Sequence, residues 1–555
     1  MSISIKILPQ EVAEKIAAGE VIERPASVVK ELLENSLDAG SKKISLEIFG
    51  GGSGLIRVAD DGTGMNPQET ELSLERYATS KINFLEDLSS LQTFGFRGEA
   101  LPSIAAISKI EISTRTVDLP YGTKVLVEGG KIIEVKEIGR DTGTTVVVRE
   151  LFFNTPVRRK FLKSRNTEIR HIIEEVSDQA LANFKTAFQL IVEGKQILNF
   201  TQTEQLDERV GQIFGKDFWH ETVKVQAEVF GLSLSGFVSK LSFLSFSRPR
   251  QIFFVNRRRI NSRLLNHAVY LGYGEDLGHK HPQIILFLQS EPKEIDVNVH
   301  PTKREIRFAD EGAIHHFVFT AVREALKIKE TEKTIELSKP EPHFFRPIIP
   351  EEGIQTAFLL PEEKKEPKVV IPHFWQLHNE FIFAATKEGY IIIDQHAAHE
   401  RILFEEALDK TPRESQQLLF PLTIELSPAE FQLFEESVVI FTRLGFSLRV
   451  FSGRTIVVDA VPVSLGRFAD ARVIKEILNE LVSLPQVPTK TLEEKIAASY
   501  GCKAAIKSGQ ELSPEEMNFL IDRLFATQNP LLCPHGRPTI IKISLEELER
   551  KFGRE

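Results

Sequence analysis

The chain has 555 residues, 42% of them hydrophobic and 26% charged, and a formal net charge of −9 at pH 7. The length predicts three or four domains, and the negative balance means that any nucleic-acid contact must come from local basic clusters. Two cysteines exclude a disulfide scaffold and favour a reducing compartment. No apolar run is long enough to span a bilayer and no signal-peptide pattern opens the sequence, so we expect no membrane association.

The first informative element is a helix predicted from Ala26 to Leu37, directly after Pro25. At 100° per residue, one face carries an apolar stripe made of Val29, Leu32, Leu33 and Leu37. The opposite face carries Glu31, Asn35 and Asp38. A carboxylate beside an asparagine suits water activation and Mg²⁺ binding, although a solvated helix face would show the same pattern.

Two glycine-rich clusters follow this helix. Asp60 ends a strand-like run and precedes Gly62 and Gly64, which would let the backbone pass close to a ligand; an ordinary Asp-Gly turn is the alternative. The second cluster, 95–101, comes after the run 78–81, and glycines ahead of a helix expose N–H groups to phosphate. The sequence has no Gly-x-x-x-x-Gly-Lys-Ser/Thr motif, which excludes a Walker-type phosphate loop.

Composition changes between about 330 and 370, where Glu, Lys and Pro cluster and hydrophobic periodicity is lost. Such a stretch is typical of a solvated linker. We therefore predict a linker over 331–370 that separates an N-terminal from a C-terminal portion.

The C-terminal portion contains a candidate metal site. A strand-like run ends at Asp394, and the helix predicted after it places His396 and Glu400 on one face. Further potential ligands are Cys502, Cys533 and His535. Imidazole, carboxylate and thiolate are zinc-type ligands, so the set indicates a split metal site. Buried cysteines and a surface His–Glu pair are the alternative.

Four motifs resemble the ATP-binding site of the gyrase/chaperone/histidine-kinase/MutL superfamily. They are Glu-Asn-Ser-x-Asp-Ala at 34–39, Asp-Asp-Gly-x-Gly-Met at 60–65, Ala-Thr-Ser-Lys at 78–81 and Gly-Phe-Arg-Gly-Glu-Ala-Leu at 95–101. The stretch 16–32 narrows the resemblance to the MutL family of DNA mismatch repair proteins. The resemblance covers nearly the whole chain and is weakest over the linker and about 425–490.

The resemblance implies a multidomain α+β protein. The expected domains are a Bergerat-type (GHKL) ATPase α/β sandwich over 1–205, a βαβ transducer domain over 206–330, the flexible linker over 331–370 and a C-terminal α+β dimerisation and endonuclease domain over 371–555, with an inserted regulatory subdomain at about 425–490.

For the N-terminal site the resemblance implies ATP and Mg²⁺. Glu31 would be the base for the attacking water, Asn35 the Mg²⁺ ligand and Asp60 the residue that recognises adenine. Lys303 would reach the γ-phosphate from the transducer domain and stabilise its charge, with a solvated lysine as the alternative. The other implied nucleotide contacts are Gly62, Gly64, Thr79, Ser80, Gly95, Arg97, Gly98, Glu99 and Thr144.

In the C-terminal portion, Asp-Gln-His-Ala-x-x-Glu-x-x-x-x-Glu at 394–405 resembles the motif of the family members that carry an endonuclease. The implied ligands of one or two divalent ions, Mn²⁺ and/or Zn²⁺, are Asp394, His396, Glu400, Cys502, Cys533 and His535. Asp394 and Glu400 are also implied as catalytic. Glu405 lies about 140° round the helix from Glu400, so we expect it to support the site rather than bind the ion. We predict no function for His399.

The resemblance also implies partners and a location. They are a second copy of the chain, double-stranded DNA, the mismatch-recognition protein MutS and the replication sliding clamp, in the cytoplasm near the nucleoid. Gln416, Leu419 and Pro421 would form the clamp-binding peptide, with an apolar edge strand as the alternative. The basic clusters 158–165 and 257–259 are candidate DNA contacts.

We therefore predict an ATP-hydrolysing homodimer that couples mismatch recognition to metal-dependent strand incision. A non-catalytic, ATP-gated repair scaffold with a structural metal site is the main alternative. A type II topoisomerase subunit would share the ATP site, but the sequence contains no Asp-x-Asp metal motif and no breakage-reunion segment.

Overall fold

The computed structural model describes residues 22–81, 98–215, 218–229, 231–245, 250–277, 280–296, 306–327, 374–386, 388–468, 472–483, 491–507 and 509–554. The chain divides into two compact units, one of Met1–Lys327 with Glu406–Ala504 and one of Ile328–Glu405 with Ala505–Glu555. The predicted linker 331–370 lies outside the described residues. Within the described ranges, no helix combines the length and the apolar character needed to cross a membrane.

An eight-stranded sheet forms the N-terminal part of the first unit. Its strands are β1 (Lys43–Phe49), β2 (Leu55–Asp60), β3 (Lys109–Arg115), β4 (Gly122–Glu128), β5 (Lys131–Ile138), β6 (Gly143–Arg149), β7 (Ala187–Val192) and β8 (Lys195–Phe200). They lie in the order β5-β4-β3-β6-β2-β1-β7-β8, with β1 parallel to β7. Along β1, buried Ile44, Leu46 and Ile48 alternate with more exposed residues, because one face of the sheet packs on a core.

Seven helices accompany this sheet in the described residues. The helices are α1 (Pro25–Asp38), α2 (Pro67–Leu72), α3 (Ala100–Ala106), α4 (Pro156–Phe161), α5 (Arg165–Ala182), α6 (Leu206–Phe214) and α7 (Phe218–Glu221). Five of them, α1, α3, α5, α6 and α7, contribute to its core. Proline is tolerated at the first position of α1, where its missing N–H has no helical partner anyway. Val29, Leu32 and Leu33 of α1 are buried against the sheet together with α5. The structure confirms the helix predicted at 26–37 and its apolar stripe.

A second, five-stranded sheet follows in the same unit. Its elements are β9 (Thr222–Val229), β10 (Leu232–Ser239), β11 (Gln251–Val255), β12 (Arg258–Ile260), α8 (Arg263–Tyr273), β13 (Ile284–Gln289) and α9 (Glu311–Leu326). The strand order is β12-β11-β13-β10-β9, and β11 runs parallel to β13 with α8 between them in the chain. This is the βαβ arrangement predicted for the region. The short strands β14 (Ile295–Asp296) and β15 (Arg307–Phe308) pair separately.

The C-terminal portion is also a mixture of strands and helices. Its elements are β16 (Phe374–Leu377), β17 (Phe381–Thr386), β18 (Gly389–Asp394), α10 (Gln395–Leu408), β19 (Ser415–Glu425), α11 (Pro428–Arg443), β20 (Ser447–Ser452), β21 (Thr455–Pro462), α12 (Val473–Ser483), α13 (Leu492–Ala504), α14 (Pro514–Phe525), β22 (Ile540–Ser544) and α15 (Leu545–Lys551). Short 3₁₀ segments occur at Gly50–Gly52, Leu241–Phe243, Gly274–Leu277, Pro292–Glu294 and Val463–Phe468. In the first unit, β19, β21 and β20 form a three-stranded sheet in that order.

The second unit contains a four-stranded sheet in the order β16-β17-β18-β22. One face packs on a core that includes Ile382 and Ile393. The other face carries Trp375, whose ring lies 5.1 Å from that of Phe383, and Tyr390, whose ring lies 5.8 Å from Phe383. Trp375 is 50% exposed. This second face, the aromatic sheet face, is therefore apolar and accessible to solvent.

Candidate functional site

The acidic face of α1 forms one side of the candidate nucleotide site. Glu31 has its carboxylate 3.8 Å from Nζ of Lys30. Asn35 Oδ1 lies 3.4 Å from Nζ of Lys81, and the same ammonium group pairs with Asp38 at 2.5 Å. The helix and the 78–81 motif thus bring a carboxylate, an amide and an ammonium group together, which are the groups needed to bind phosphate and orient water.

Asp60 is held at the end of β2 by three hydrogen-bond donors. Its Oδ1 accepts the backbone N–H groups of Gly62 at 2.9 Å and Thr144 at 3.2 Å, and its Oδ2 accepts the Ser36 hydroxyl at 2.8 Å. Thr144 lies opposite Asp60 on β6, and its hydroxyl is 3.0 Å from Thr114 Oγ1. The predicted site residues Asp60, Gly62 and Thr144 are therefore neighbours, and the carboxylate is fixed in one orientation.

Two further predicted glycines occupy positions that exclude a side chain. Gly64 has φ 71°, and a Cβ there would lie 2.0 Å from the carbonyl oxygen of Arg115. Gly98 has φ 60°, and a Cβ there would lie 2.4 Å from the carbonyl oxygen of Ala78. Because both positions combine left-handed backbone with close backbone neighbours, glycine is required at each.

Two motifs, 78–81 and 95–101, are predicted to contact phosphate, and the structure describes 78–81 and 98–101 of them. Thr79 Oγ1 accepts the N–H of Lys81 at 3.1 Å, Ser80 lies between them, and Glu99 directly precedes α3. Other predicted nucleotide contacts lie outside the described residues; they are Gly95, Arg97 and Lys303.

The basic run 257–259 contacts the ATPase helices more than it faces solvent. Arg259 pairs with Asp178 of α5 at 3.3 Å. Burial lowers the pKa of Arg258, and the charges of carboxylates on α1 oppose that shift. Arg257 is exposed. Two of the three cations considered for DNA contact therefore connect the second sheet to the ATPase domain.

In the second unit, α10 presents His396 and Glu400 on one face, as their spacing predicts. Glu400 is fully buried, and its Oε1 lies 3.2 Å from Nε2 of His396. Nδ1 of His396 is 2.7 Å from the carbonyl oxygen of Ile506, which can only accept, so Nδ1 carries the proton. Nε2 then faces a carboxylate oxygen, so either a proton on Nε2 or a cation bound by both groups must separate the two acceptors. A metal ion fits this position, because metal-binding histidines are oriented in the same way.

Arg537 joins Glu400 to the cysteine motif. Its guanidinium lies 3.1 Å from Oε2 of Glu400. Burial acts to lower the pKa of Arg537, but the hydrogen bond with Cys533 and the charge of Glu400 raise it above its usual value. Cys533 is buried, and its carbonyl accepts the N–H of Gly536 at 2.9 Å in a tight turn that exposes His535. No role was predicted for Arg537, although it stands in the same motif as the predicted ligands Cys533 and His535.

The other predicted metal-site residues occupy distinct positions. Asp394 caps α10 by accepting a backbone N–H of its first turn at 2.9 Å. Glu405 accepts the N–H groups of Gln528 at 2.7 Å and Asn529 at 3.2 Å, and so holds the loop that leads to Cys533. Cys502 is half-buried in the last turn of α13, which belongs to the first unit.

His399 contributes to the site without having been predicted to do so. Its Nδ1 accepts the N–H of Ile506 at 3.1 Å, and His396 contacts the carbonyl of the same residue. Burial, with the charges of Arg523 and His396, lowers the pKa of His399 to about 4, so its ring is neutral. Two histidines three residues apart on a helix are the signal that sequence reasoning could have used.

The predicted clamp peptide lies on an edge strand. β19 pairs with β21 up to Gln417, and pairing resumes at Leu422 after a shift of register. Between these points the strand bulges, and Leu419 is 88% exposed. Gln416 and Pro421 are exposed on either side. The stretch is therefore part of an edge strand, and its central residues are accessible to solvent. These features agree with both alternatives that the sequence left open.

Comparison with known proteins agrees with this arrangement. Three family models match: "Histidine kinase-, DNA gyrase B-, and HSP90-like ATPase" over 22–125, "DNA mismatch repair protein, C-terminal domain" over 210–327 and "MutL C terminal dimerisation domain" over 374–512. The chain is 38% identical to the DNA mismatch repair protein MutL of Pelodictyon phaeoclathratiforme, over 99% of both chains. It is 37% identical to that of Chlorobaculum tepidum, over 99% of this chain and 100% of the relative.

A solved structure is similar to the N-terminal part. It is described as the crystal structure of the N-terminal domain of a DNA repair protein, and it is 26% identical with a TM-score of 0.50. The match covers 57% of this chain and 98% of that one. An ATPase domain of the GHKL type and a C-terminal dimerisation domain are thus present in one α+β chain. The chain belongs to the MutL family of DNA mismatch repair proteins.

Proposed function

We propose that this protein is a homodimer that hydrolyses ATP and incises double-stranded DNA with a divalent metal ion held in its C-terminal region. The observation that supports the proposed incision of DNA is the environment of Glu400. This carboxylate is fully buried, with His396 against one oxygen and Arg537 against the other. A buried carboxylate that faces the lone pair of an imidazole is a strong cation site.

By resemblance to the family, Glu31 takes the proton of the attacking water in ATP hydrolysis; it lies on the partly accessible side of α1, with the Lys30 ammonium as its neighbour. Asn35, one turn later, provides an amide oxygen for Mg²⁺, which neutralises phosphate charge when bound. Asp60 accepts from the exocyclic amine of adenine. By resemblance to the family, Lys303 and the 95–99 segment complete the triphosphate contacts.

The metal-binding set comprises Asp394, His396, Glu400, Cys502, Cys533 and His535. A bound Mn²⁺ or Zn²⁺ would supply Lewis acidity to the scissile phosphodiester. The protein's own contribution is to fix the donors: Glu405 holds the loop before Cys533, and His399 holds the backbone that orients His396.

Cys502 is included because of its position in the chain. It precedes Ile506 by four residues, so its Cα lies within about 15 Å of that residue by chain length alone. Ile506 is the residue whose backbone both histidines contact. The thiol is also half-buried, and reactive cysteines commonly lie in partly exposed positions, whereas structural ones are buried.

The partners follow from accessible surfaces. The aromatic sheet face of the second unit has the composition of a protein interface and supports dimerisation through this face. Exposed Arg159 and Lys160 on α4, with the half-buried Arg158 beside them, would contact DNA phosphates, so binding should weaken steeply with salt. The bulge of β19 binds the sliding clamp, and the resemblance adds MutS as the partner that reports the mismatch.

The test of this function is the nicking of supercoiled plasmid in the presence of Mn²⁺. We expect the wild type to produce open circles and Asp394→Asn to be slower by at least about tenfold, because the substitution removes a ligand charge. Glu388→Gln is the matched control: it changes an exposed carboxylate on the same sheet, paired with Lys542, and should nick normally. Equal nicking by wild type and Asp394→Asn, or none by either with clamp present, would refute the nuclease.

A non-catalytic scaffold with a structural metal is the second candidate. The complete burial of Glu400 and the burial of Cys533 favour it, because structural zinc sites are closed to solvent. Both candidates predict that a chelator lowers the Tm of the wild type and not of Cys533→Ser. Metal-dependent stability without plasmid nicking would identify the scaffold.

A further inference from the structure

An arginine from the C-terminal portion closes the end of an ATPase-domain helix. Arg454, between β20 and β21, donates to the carbonyl oxygens of Ile213 at 3.1 Å and Gln212 at 2.7 Å. These carbonyls belong to the last turn of α6, where helical partners are missing and the helix dipole is negative. A cation is the group that such a helix end favours, and here it comes from more than 200 residues away in the sequence.

Two ion pairs connect the same parts of the first unit. Lys195 Nζ, at the start of β8, lies 3.0 Å from Glu435 of α11. Arg170 of α5 lies 3.9 Å from Glu436, and both side chains are nearly buried. The burial of Glu436 raises its pKa, and Arg170 opposes the rise. Complementary charges thus follow the line of contact between α11 and the ATPase domain.

Apolar contact accompanies these charges. Ala429, at the start of α11, is buried in the same core as the α1 and α5 side chains. The side chain of Glu425 lies against Gly215, where an added Cβ would come within 2.8 Å of it. Polar, ionic and apolar contacts therefore all occur along one surface, which is unusual for an accidental encounter.

We propose that residues 425–454 form an intramolecular docking surface that holds part of the C-terminal region against α5 and α6 of the ATPase domain. The occupant is this chain's own segment, because the contacts lie within one compact unit. Helix α5 shares its core with α1, which carries Glu31 and Asn35. Docking against α5 is therefore connected through that core to the helix with the proposed ATP-site residues.

Zero-length cross-linking of the full chain with a carbodiimide tests this proposal. The reagent joins an amine to a carboxylate only when the two are in contact, so Lys195 and Glu435 should yield a linked peptide in mass spectrometry. Lys224 and Asp207 are an internal control, since they are 2.9 Å apart and comparably exposed within the N-terminal part. Loss of the first product while the second forms would overturn the proposal.

Isotope labelling separates the chain's own segment from a second copy. When ¹⁵N-labelled and unlabelled chains are mixed and allowed to exchange, the Lys195–Glu435 product should contain a single isotope. A product with one light and one heavy peptide would show that the contact forms between copies, and would also overturn the proposal.

Two arginine variants test the role of the helix end. Arg454→Ala should lower the yield of the Lys195–Glu435 product at least threefold and leave the Lys224–Asp207 product unchanged. Arg449→Ala, which removes an exposed arginine paired with Asp459 on the same small sheet, should change neither product. Unchanged yield in Arg454→Ala would refute its role in docking.

Discussion

Glu31 and Asp60 are both carboxylates of the proposed ATP site, yet their surroundings differ. Asp60 already accepts three hydrogen bonds from protein donors, so its orientation is set before a nucleotide binds. Glu31 has the Lys30 ammonium at 3.8 Å as its neighbour and sits on the partly accessible side of α1. A fixed acceptor suits recognition of a base, and a carboxylate near solvent suits proton transfer from water.

Glu31→Gln should therefore retain ATP binding and lose hydrolysis. The amide is nearly the same size but cannot take a proton, so we expect kcat to fall by about 10²–10⁴-fold while the ATP Kd changes little. Single-turnover phosphate release and equilibrium nucleotide binding measure the two quantities. Glu47→Gln, which alters a β1 carboxylate paired with Arg57, is the matched control, and normal turnover in Glu31→Gln would remove the proposed base.

At the scale of elements, β19 contains the proposed clamp-binding peptide in a bulge between two paired segments of the strand. The strand is paired at both ends and bulges between Gln417 and Leu422, so Leu419 is accessible to the proposed partner and contributes almost nothing to the core. The sheet fixes the two ends of the peptide, which lowers the entropy lost when a partner binds it.

Leu419→Ala should abolish binding to the sliding clamp without changing stability. Its side chain is 88% exposed, so the free energy of unfolding should change by less than about 0.5 kcal/mol. Surface plasmon resonance on immobilised clamp and urea unfolding are the measurements. Val439→Ala removes a similarly exposed side chain from α11, and this variant should bind the clamp normally. If Leu419→Ala retained clamp binding, this peptide would be excluded as the clamp-binding site.

The elements that sequence reasoning predicted are those with local signals. α1 has a complete apolar stripe behind Pro25, and α10 follows directly from the strand that ends at Asp394. The contacts of Arg454 and Arg537 could not be predicted in the same way. Each of these contacts depends on which surfaces pack together after folding. A single arginine is not part of a periodic pattern, so its sequence position does not indicate its partner.

At the scale of the whole molecule, the aromatic sheet face predicts a dimer. Trp375→Glu should convert the protein from a species of twice 62.7 kDa to a monomer in sedimentation equilibrium, because a buried unpaired carboxylate opposes association. Val450→Glu introduces the same charge at a similarly exposed position on β20 and should remain dimeric. If both variants remained dimeric, the dimer interface would lie outside the aromatic sheet face.

Within the proposed metal site, the pairing of His396 with Glu400 could be predicted from the sequence, and the supports around the pair could not. The motif residues His396 and Glu400 do face each other, because helical spacing alone brings them together. Two of the supports around them, Arg537 and the loop held by Glu405, come from segments more than 100 residues away in the sequence. The third, His399, lies on α10 but contacts Ile506, which is also more than 100 residues away in the sequence. These contacts form only when the second unit folds around α10, so they leave no local pattern in the sequence.

The backbone of Ile506 has one further consequence. Its N–H and its carbonyl are each contacted by a different histidine of α10, so the ring of His396, a proposed ligand, is oriented without an ion. Metal uptake should then be a late event that follows folding, unlike in zinc fingers, where the ion drives the fold. The protein could therefore lose and regain its ion, or exchange Zn²⁺ for Mn²⁺, while its architecture persists.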